Sequence, residues 1–386
     1  MPSIVDVIDI LERLESKALH VNAATCAKVR NRNSVCKRCA NACPSGAISL
    51  NGNTIDIDSS LCISCGSCAV ACPTDAITHL KPSDEDLYRK IRDCIRDCQG
   101  HVVFICARVK SHRRANVDMV VSLPCVSRID ATMLVYAAAQ GASAITIVDG
   151  GCDTCKYKGA IGGFQDVVND ARGLLAAWGS LVQIRVTQEV PEMVRATNVE
   201  ESRGGVSRRA FFTNAKDSAK KTAVEAVNVT VEKELGLKSS APTLRDLIRV
   251  GADGYMPHAP APRHDLLVES LFELGEPVDE VTLTTKLWGN VVIDTDLCKT
   301  CGVCATFCST GALQKSMEEP SEKELKRNKH ARAKVVGVEF RLSDCVQCRL
   351  CQDGCFRKAL TVSDQIDVNR ILDLEPVAFY GQPPKK

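Results

Sequence analysis

Aromatic side chains are scarce in this chain: tryptophan, tyrosine and phenylalanine together make up 4% of its 386 residues. Any core must therefore be aliphatic. Charge of one sign is also lacking, since the formal net charge is +2. That balance carries no nucleic-acid footprint. No apolar run approaches the ~20 residues that a membrane span needs. Residues 1–19 are amphipathic and charged, without the apolar h-region of a secretory leader. A cytoplasmic, reducing setting is the expectation. No glycine-rich dinucleotide fingerprint occurs. Gly150-Gly151 runs into a cysteine, and the glycines between 159 and 163 lack the spacing, so neither NAD nor flavin is expected. The seven histidines are scattered and form no ligand set. Ser207-Arg208-Arg209-Ala210-Phe211-Phe212 resembles a twin-arginine export signal, but it is internal and no apolar stretch follows.

Cysteine is abundant instead, with 22 residues, most of them in tight bursts. Thiols two or three residues apart cannot all reach distant disulfide partners, but they can wrap one metal centre. The fullest burst is Cys62-x-x-Cys65-x-x-Cys68-x-x-x-Cys72-Pro73. In this pattern the first three thiolates hold one iron–sulfur cube and the fourth, before proline, ligates the other. Upstream stands Cys36-x-x-Cys39-x-x-x-Cys43-Pro44, and the missing first cysteine is taken as Cys26. Crossing then assigns one cluster to Cys26, Cys36, Cys39 and Cys72, and a second to Cys62, Cys65, Cys68 and Cys43. The same logic repeats near the C-terminus. Cys298, Cys301, Cys304 and Cys355 form one set, and Cys345, Cys348, Cys351 and Cys308 the other. Ser309 and Phe356 stand where proline is usual. Ile57-Asp58-Ser59-Ser60-Leu61-Cys62 matches Ile293-Asp294-Thr295-Asp296-Leu297-Cys298, so the two segments are internal repeats.

Both segments resemble bacterial two-cluster ferredoxins, which implies a β-α-β-β-α-β unit at each end and four 4Fe–4S clusters in all. Structural zinc favours two separated pairs, not a run of three plus one. Each oxidised cluster with its thiolates adds roughly −2, taking the loaded chain to about −6. Four-thiolate ligation leaves no iron open to substrate, so electron transfer is expected rather than catalysis at these clusters.

Between the ends, apolar strands alternate with helices, which predicts a Rossmann-like parallel sheet. Strands are expected over 101–107, 117–123, 144–149 and 181–186, and helices over 131–140 and 160–178. Cys106, Cys125, Cys152 and Cys155 fall at or just after strand ends, the edge where open parallel sheets bind ligands. A 2Fe–2S cluster is the natural occupant; zinc and an unligated redox dithiol at Cys152-Asp-Thr-Cys155 stay open. Cys94 and Cys98, at i and i+4 of a helix, read as buried small residues.

The run Leu123-Pro124-Cys125, Gly141-Ala142 and Gly150-Gly151-Cys152-x-x-Cys155-Lys156-Tyr157 resembles the delta subunit of methyl-viologen-reducing hydrogenase. That family is the hydrogenase iron–sulfur subunit. The resemblance implies a 2Fe–2S cluster and a link between a hydrogenase or formate dehydrogenase and heterodisulfide reductase. Here the final pair is C-x-x-C, narrower than the family's spacing.

The fold class expected is α+β ferredoxin-like modules at both ends of a central α/β domain. The divisions are 1–82, 83–195, a helical and Pro-rich connector over 196–283, and 284–386. Short helices are expected over 4–18 and 264–274. The basic insert 318–334 reads as a solvated loop. Electrons are expected to enter at one end module, pass near the middle domain and leave by the other. Partners would be redox subunits of flavoprotein, hydrogenase, or molybdenum or tungsten enzyme type in a hetero-oligomer working anaerobically. A thiol- or heterodisulfide-type reductase acting at the middle cysteines is the rival reading, and clusters serving as structural staples a second.

Overall fold

The computed structural model describes residues 18–112, 114–196, 248–278 and 281–381. All but the last residue of the expected helix 4–18, and the whole of the 207–212 motif, lie outside the described residues. In the N-terminal region β1 (Leu19–Val21) is followed by helices α1 (Ala27–Arg30) and α2 (Arg38–Asn41). Strands β2 (Ile48–Asn51) and β3 (Thr54–Ile57), helix α3 (Ser67–Ala71) and strand β4 (Ile77–His79) complete it. β1 pairs antiparallel with β4, and β2 with β3. Gly52, at φ +58°, turns the β2–β3 hairpin, a conformation that glycine adopts without strain.

Helix α4 (Asp84–Asp97) starts on a capping box between Ser83 and Asp86. Leu87, Ile91 and Cys94 follow at i, i+4 and i+7 and are buried, so the helix presents one apolar stripe. Cys94 and Cys98 are 1% exposed each. They pack as small residues, and the Cys98 thiol donates to the Met119 carbonyl.

The middle sheet comprises β5 (His101–Cys106), β6 (Val121–Leu123), β7 (Ala144–Val148) and β8 (Gln183–Thr187). All three pairings are parallel, in the order β6-β5-β7-β8. Nearly continuous apolar runs in β5 and β7 suit strands covered on both faces. Helices α5 (Ala107–Ser111), α6 (Ala131–Ala139) and α7 (Phe164–Ala177) connect them. Two elements are shorter than the sequence predicts. Asn116 accepts from the Asp118 amide and folds Val117–Met119 into a 3₁₀ turn, leaving a strand only from Val121. Helix α7 starts at Phe164 because Gly162 and Gly163 precede it and Lys158–Gly163 winds as 3₁₀.

Helix α8 (Pro262–Leu274) packs along α6, with Thr132 Oγ1 donating to the Arg263 carbonyl at 3.1 Å. That cover explains why α6 is buried almost all round. In the C-terminal region β9 (Thr282–Thr284) and β10 (Asn290–Ile293) precede helix α9 (Val303–Phe307) and β11 (Leu313–Glu318). Helix α10 (Glu322–Arg327), β12 (Lys334–Phe340), α11 (Leu350–Gly354), β13 (Leu360–Ser363), β14 (Gln365–Asp367) and β15 (Val377–Tyr380) follow. β9 pairs with β14 and β10 with β13, while β11, β12 and β15 form a three-stranded antiparallel sheet. The insert expected to be a loop is the far end of the β11–β12 hairpin with α10 at its tip. A Ser321–Glu324 capping box starts that helix, and Lys334 pairs with Glu324 across it. Among the described residues no helix is long and apolar enough to cross a membrane.

One side chain ties the parts together. Arg263, in the first turn of α8, donates from Nε to Asp75 Oδ1 at 2.6 Å and from Nη2 to the Cys72 carbonyl at 2.6 Å. Asp130, the N-cap of α6, lies 3.8 Å from its Nη1. Arg263→Met leaves both carboxylates buried without this cation, at a cost of about 3–5 kcal/mol. The expected outcome is a lower melting temperature for the loaded chain, partly recovered in Arg263→Met/Asp75→Leu; a melting temperature equal to the parent's contradicts the clamp.

Candidate functional site

The three full cysteine bursts share one backbone shape. In the first, Ser64 and Gly66 have φ of +54° and +83°. In the second, Thr300 and Gly302 have +49° and +67°, and in the third Gln347 and Arg349 have +51° and +61°. Two left-handed residues, with one residue between them, recur at the same place in each burst, and left-handed positions of this kind shape the concave amide nests of iron–sulfur and phosphate sites. Gly66 also has no room for a side chain, because an added Cβ would lie 2.2 Å from Arg128 Cδ. Arg349 holds the same conformation without being glycine, at a cost of about 1 kcal/mol.

The structure brings together the thiols that the motif spacing groups. Burial pushes the Cys39 thiol up to about 12, helped by the nearby Cys72, Cys26 and Cys36. Burial likewise raises Cys68 to about 12, with Cys65, Cys43 and Cys62 adding to it. Cys304 reaches about 12 through burial, with Cys301, Cys298 and Cys355 beside it. Cys345 reaches about 12 and Cys348 about 11 through burial next to Cys308. In the middle domain burial takes Cys152 to about 12, with Asp149, Cys125, Cys106 and Cys155 contributing. Each of these thiols is thus held protonated unless a cation compensates it, and loading a metal must release protons.

Two apolar cavities fit these sets. One is lined by Cys43, Cys62, Cys65 and Cys68 with Ala47, Ile48 and Gly66. The other is lined by Cys308, Cys345, Cys348 and Cys351 with Val291, Leu313 and Phe340. Tetrahedral zinc draws its thiolates to within ~3.8 Å of one another. Among the described residues no group of three potential ligands closes on a single ion in this way.

Several supporting residues carry no signal in the cysteine spacing. Hydroxyls stand two residues after three of the crossing cysteines: Ser45 Oγ is 3.6 Å from Cys43 Sγ, Thr74 Oγ1 3.7 Å from Cys72 Sγ, and Thr310 Oγ1 3.9 Å from Cys308 Sγ. At Cys43 burial raises the pKa, but the Ser45 hydroxyl and the amides of Ser45, Ala47 and Ile48 outweigh it and leave the thiol below its ordinary value. A buried and a half-buried arginine flank the sets. Arg128 is 1% exposed, pairs with Asp84 and bears on Cys68. Arg38 donates to the Gln347 carbonyl at 2.9 Å and bears on Cys36 and Cys348. In the middle domain Gly150 admits the chain against Cys106, where a Cβ would lie 2.9 Å from the sulfur. Arg108 pins the following turn through the Gly151 carbonyl at 2.9 Å.

The end regions meet directly rather than across the middle domain. The Val35 amide donates to Asp353 at 3.0 Å, and Arg38 Nη2 to the Gln347 carbonyl at 2.9 Å. The middle domain touches the N-terminal region from its other side. Ser127 Oγ donates to the Cys65 carbonyl and Ser67 Oγ to that of Ala160, both at 3.4 Å. Cys301 is the exposed thiol at the far end of the C-terminal region, and Leu297, Phe356 and Tyr380 are exposed in the same region.

Comparison with known families agrees with the two ends. A 4Fe-4S dicluster domain matches residues 34–76, and a 4Fe-4S binding domain matches residues 291–314. The first takes in seven of the eight N-terminal cysteines and omits Cys26; the second takes in the 298–308 burst. Neither reaches residues 83–195. No curated protein matches the chain. Two 4Fe–4S-binding segments give the chain an iron–sulfur electron-transfer role.

The N-terminal region depends most on its metal. Among the described residues its buried apolar cluster has nine members, and four are Cys26, Cys39, Cys68 and Cys72. Stripping iron with a chelator is expected to expose residues 22–76 to proteases while the α/β sheet stays protected. An N-terminal region that remains resistant without iron would show that its core does not need the cage.

Proposed function

We propose that this chain is the electron-transfer subunit of an anaerobic, cytoplasmic oxidoreductase complex, with four 4Fe–4S clusters and one 2Fe–2S cluster. The sets are Cys26, Cys36, Cys39 and Cys72; Cys43, Cys62, Cys65 and Cys68; Cys308, Cys345, Cys348 and Cys351; and Cys298, Cys301, Cys304 and Cys355. Cys106, Cys125, Cys152 and Cys155 would hold the 2Fe–2S cluster, in keeping with the resemblance to the hydrogenase delta subunit. A bound cluster supplies reversible storage of one electron, tuned by burial and by N–H bonds to sulfur.

One observation carries this reading: the five sets stand as neighbours in a single row. Cys125 bears on Cys65, joining the middle set to the 43/62/65/68 set. Cys39 bears on Cys68, joining that set to 26/36/39/72. Arg38 faces both Cys36 and Cys348, joining this second N-terminal set to 308/345/348/351. Cys304 bears on Cys351, joining the last two. On this reading the row begins in the middle domain and ends at the exposed Cys301, in place of a route through the middle domain between the two end modules. Redox subunits carrying the flavin, pterin or catalytic metal would dock at its two ends.

A dithiol reductase at Cys152 and Cys155 has less support. Such chemistry needs a thiolate, and burial beside Asp149 holds the Cys152 thiol protonated.

Iron counting of oxygen-free protein with EPR of the reduced form is the direct test. About 18 iron per chain is expected, about 16 of them in cubes. Cys125→Ser is expected to lower the count by about two and to remove one signal while the cube signals stay. A variant that keeps the higher count contradicts the middle-domain assignment, and a count far below 16 contradicts the whole reading.

A further inference from the structure

Helix α1 carries two functional side chains one turn apart. Cys26 is its N-cap, and the Arg30 amide donates to the Cys26 carbonyl at 2.9 Å. The thiol belongs with Cys36, Cys39 and Cys72. The guanidinium leaves the N-terminal region for the connector and the neighbourhood of the C-terminal cysteines. Arg30 is 5% exposed, and its Nη1 donates to the Ala24 and Pro257 carbonyls at 3.1 and 3.0 Å. Its Nε and Nη2 are buried and have no hydrogen-bond partner in the protein. Burying a guanidinium edge is unfavourable unless an acceptor faces it. The cysteines that stand nearest to act on it are Cys308 and Cys348. The same set receives a second unusual donor. Ser309, standing where proline is usual, is 2% exposed, and its buried hydroxyl has no hydrogen-bond partner in the protein, while Cys348 stands beside it.

We propose that Arg30 and Ser309 are donors to the cluster at Cys308, Cys345, Cys348 and Cys351, and that they make it the electron sink of the row. This inference rests on the four-cube reading above. Adding one electron to a cluster makes it more negative by one charge. A fixed cation and N–H and O–H donors aimed at its sulfurs stabilise that state and raise its potential relative to its neighbours. Lysine at position 30 would keep the charge but lose the planar fork that reaches both Pro257 and the sulfurs. The donor is supplied by one end region to the cluster of the other, so the potential of this site also depends on the two being docked. Arg30 acts on the cluster as a donor, and it ligates nothing itself.

The test is a dithionite titration of the loaded chain, followed by EPR at each potential, with iron counted first. Cys308→Ser, which perturbs one cluster's ligand, identifies the signal of this set. In the parent chain that signal is expected to appear first on reduction. In Arg30→Gln its midpoint is expected to move to more negative potential, with the other three unmoved, and in Arg30→Lys to move less. Ser309→Ala should shift the same signal in the same direction, which serves as the readout if Arg30→Gln loses iron. The proposal is overturned if neither Arg30→Gln nor Ser309→Ala moves that midpoint with about 16 cube irons retained, or if the shift falls on a signal that Cys308→Ser leaves alone. A parent chain with far fewer irons would instead sink the cluster reading itself.

Discussion

Negative charge in the interior is the constraint around which this chain is organised. Sixteen thiols gather at four points in the two end regions, most of them half-buried or buried. Deprotonating them without compensation is costly in a medium of low dielectric. The compensation is visible at the joints between regions. Arg128 sits where the N-terminal region meets the middle domain, and Arg30 and Arg38 where it meets the C-terminal one. Arg263 closes the third side through Asp75. Arg30 and Arg38 are held by carbonyls and Arg128 and Arg263 by pairs of carboxylates, and each has cysteines beside it. Docking between regions and charge balance at the sulfurs are therefore one arrangement.

Stability is unevenly spread as a result. The middle sheet and its helices share a large aliphatic core with the C-terminal region, including the fully buried Trp288. The N-terminal region has only a small cluster of its own, rich in cysteine. It is held from outside by Arg263, by the Asp353 contact to Val35 and by Arg38 on Gln347. Gln347 is itself fixed by two carbonyl acceptors, those of Thr285 and Trp288, each at 2.9 Å. A region with so little core of its own keeps its shape only while its neighbours and its metal are in place.

Much of this was legible in the residues. The sixteen thiols grouped by spacing, Cys26 among them, and the four grouped by strand ends each have their expected set-mates as neighbours in the structure. Apolar runs of period one located β5 and β7. The relative placement of the sets was not legible. It depends on Arg30, Arg38 and Arg128, which look like ordinary surface cations in a linear reading and become distinctive only through burial. Insert 318–334 was misjudged as a loop because its charge outweighed the Ser321–Glu324 cap and the strands on either side. The left-handed positions were half visible: Gly66 and Gly302 announce them, while Ser64, Thr300, Gln347 and Arg349 hide them.

The exposed Cys301 at the end of the row has a cost as well as a use. An electron can cross only a short gap, so the last cage must lie near the surface, and dioxygen then reaches it before any other. Air damage to the isolated chain would begin there and travel inward. In the assembled complex the docked subunit would act as a seal as much as a recipient, so the chain should be longest-lived in the company of the protein that takes its electrons.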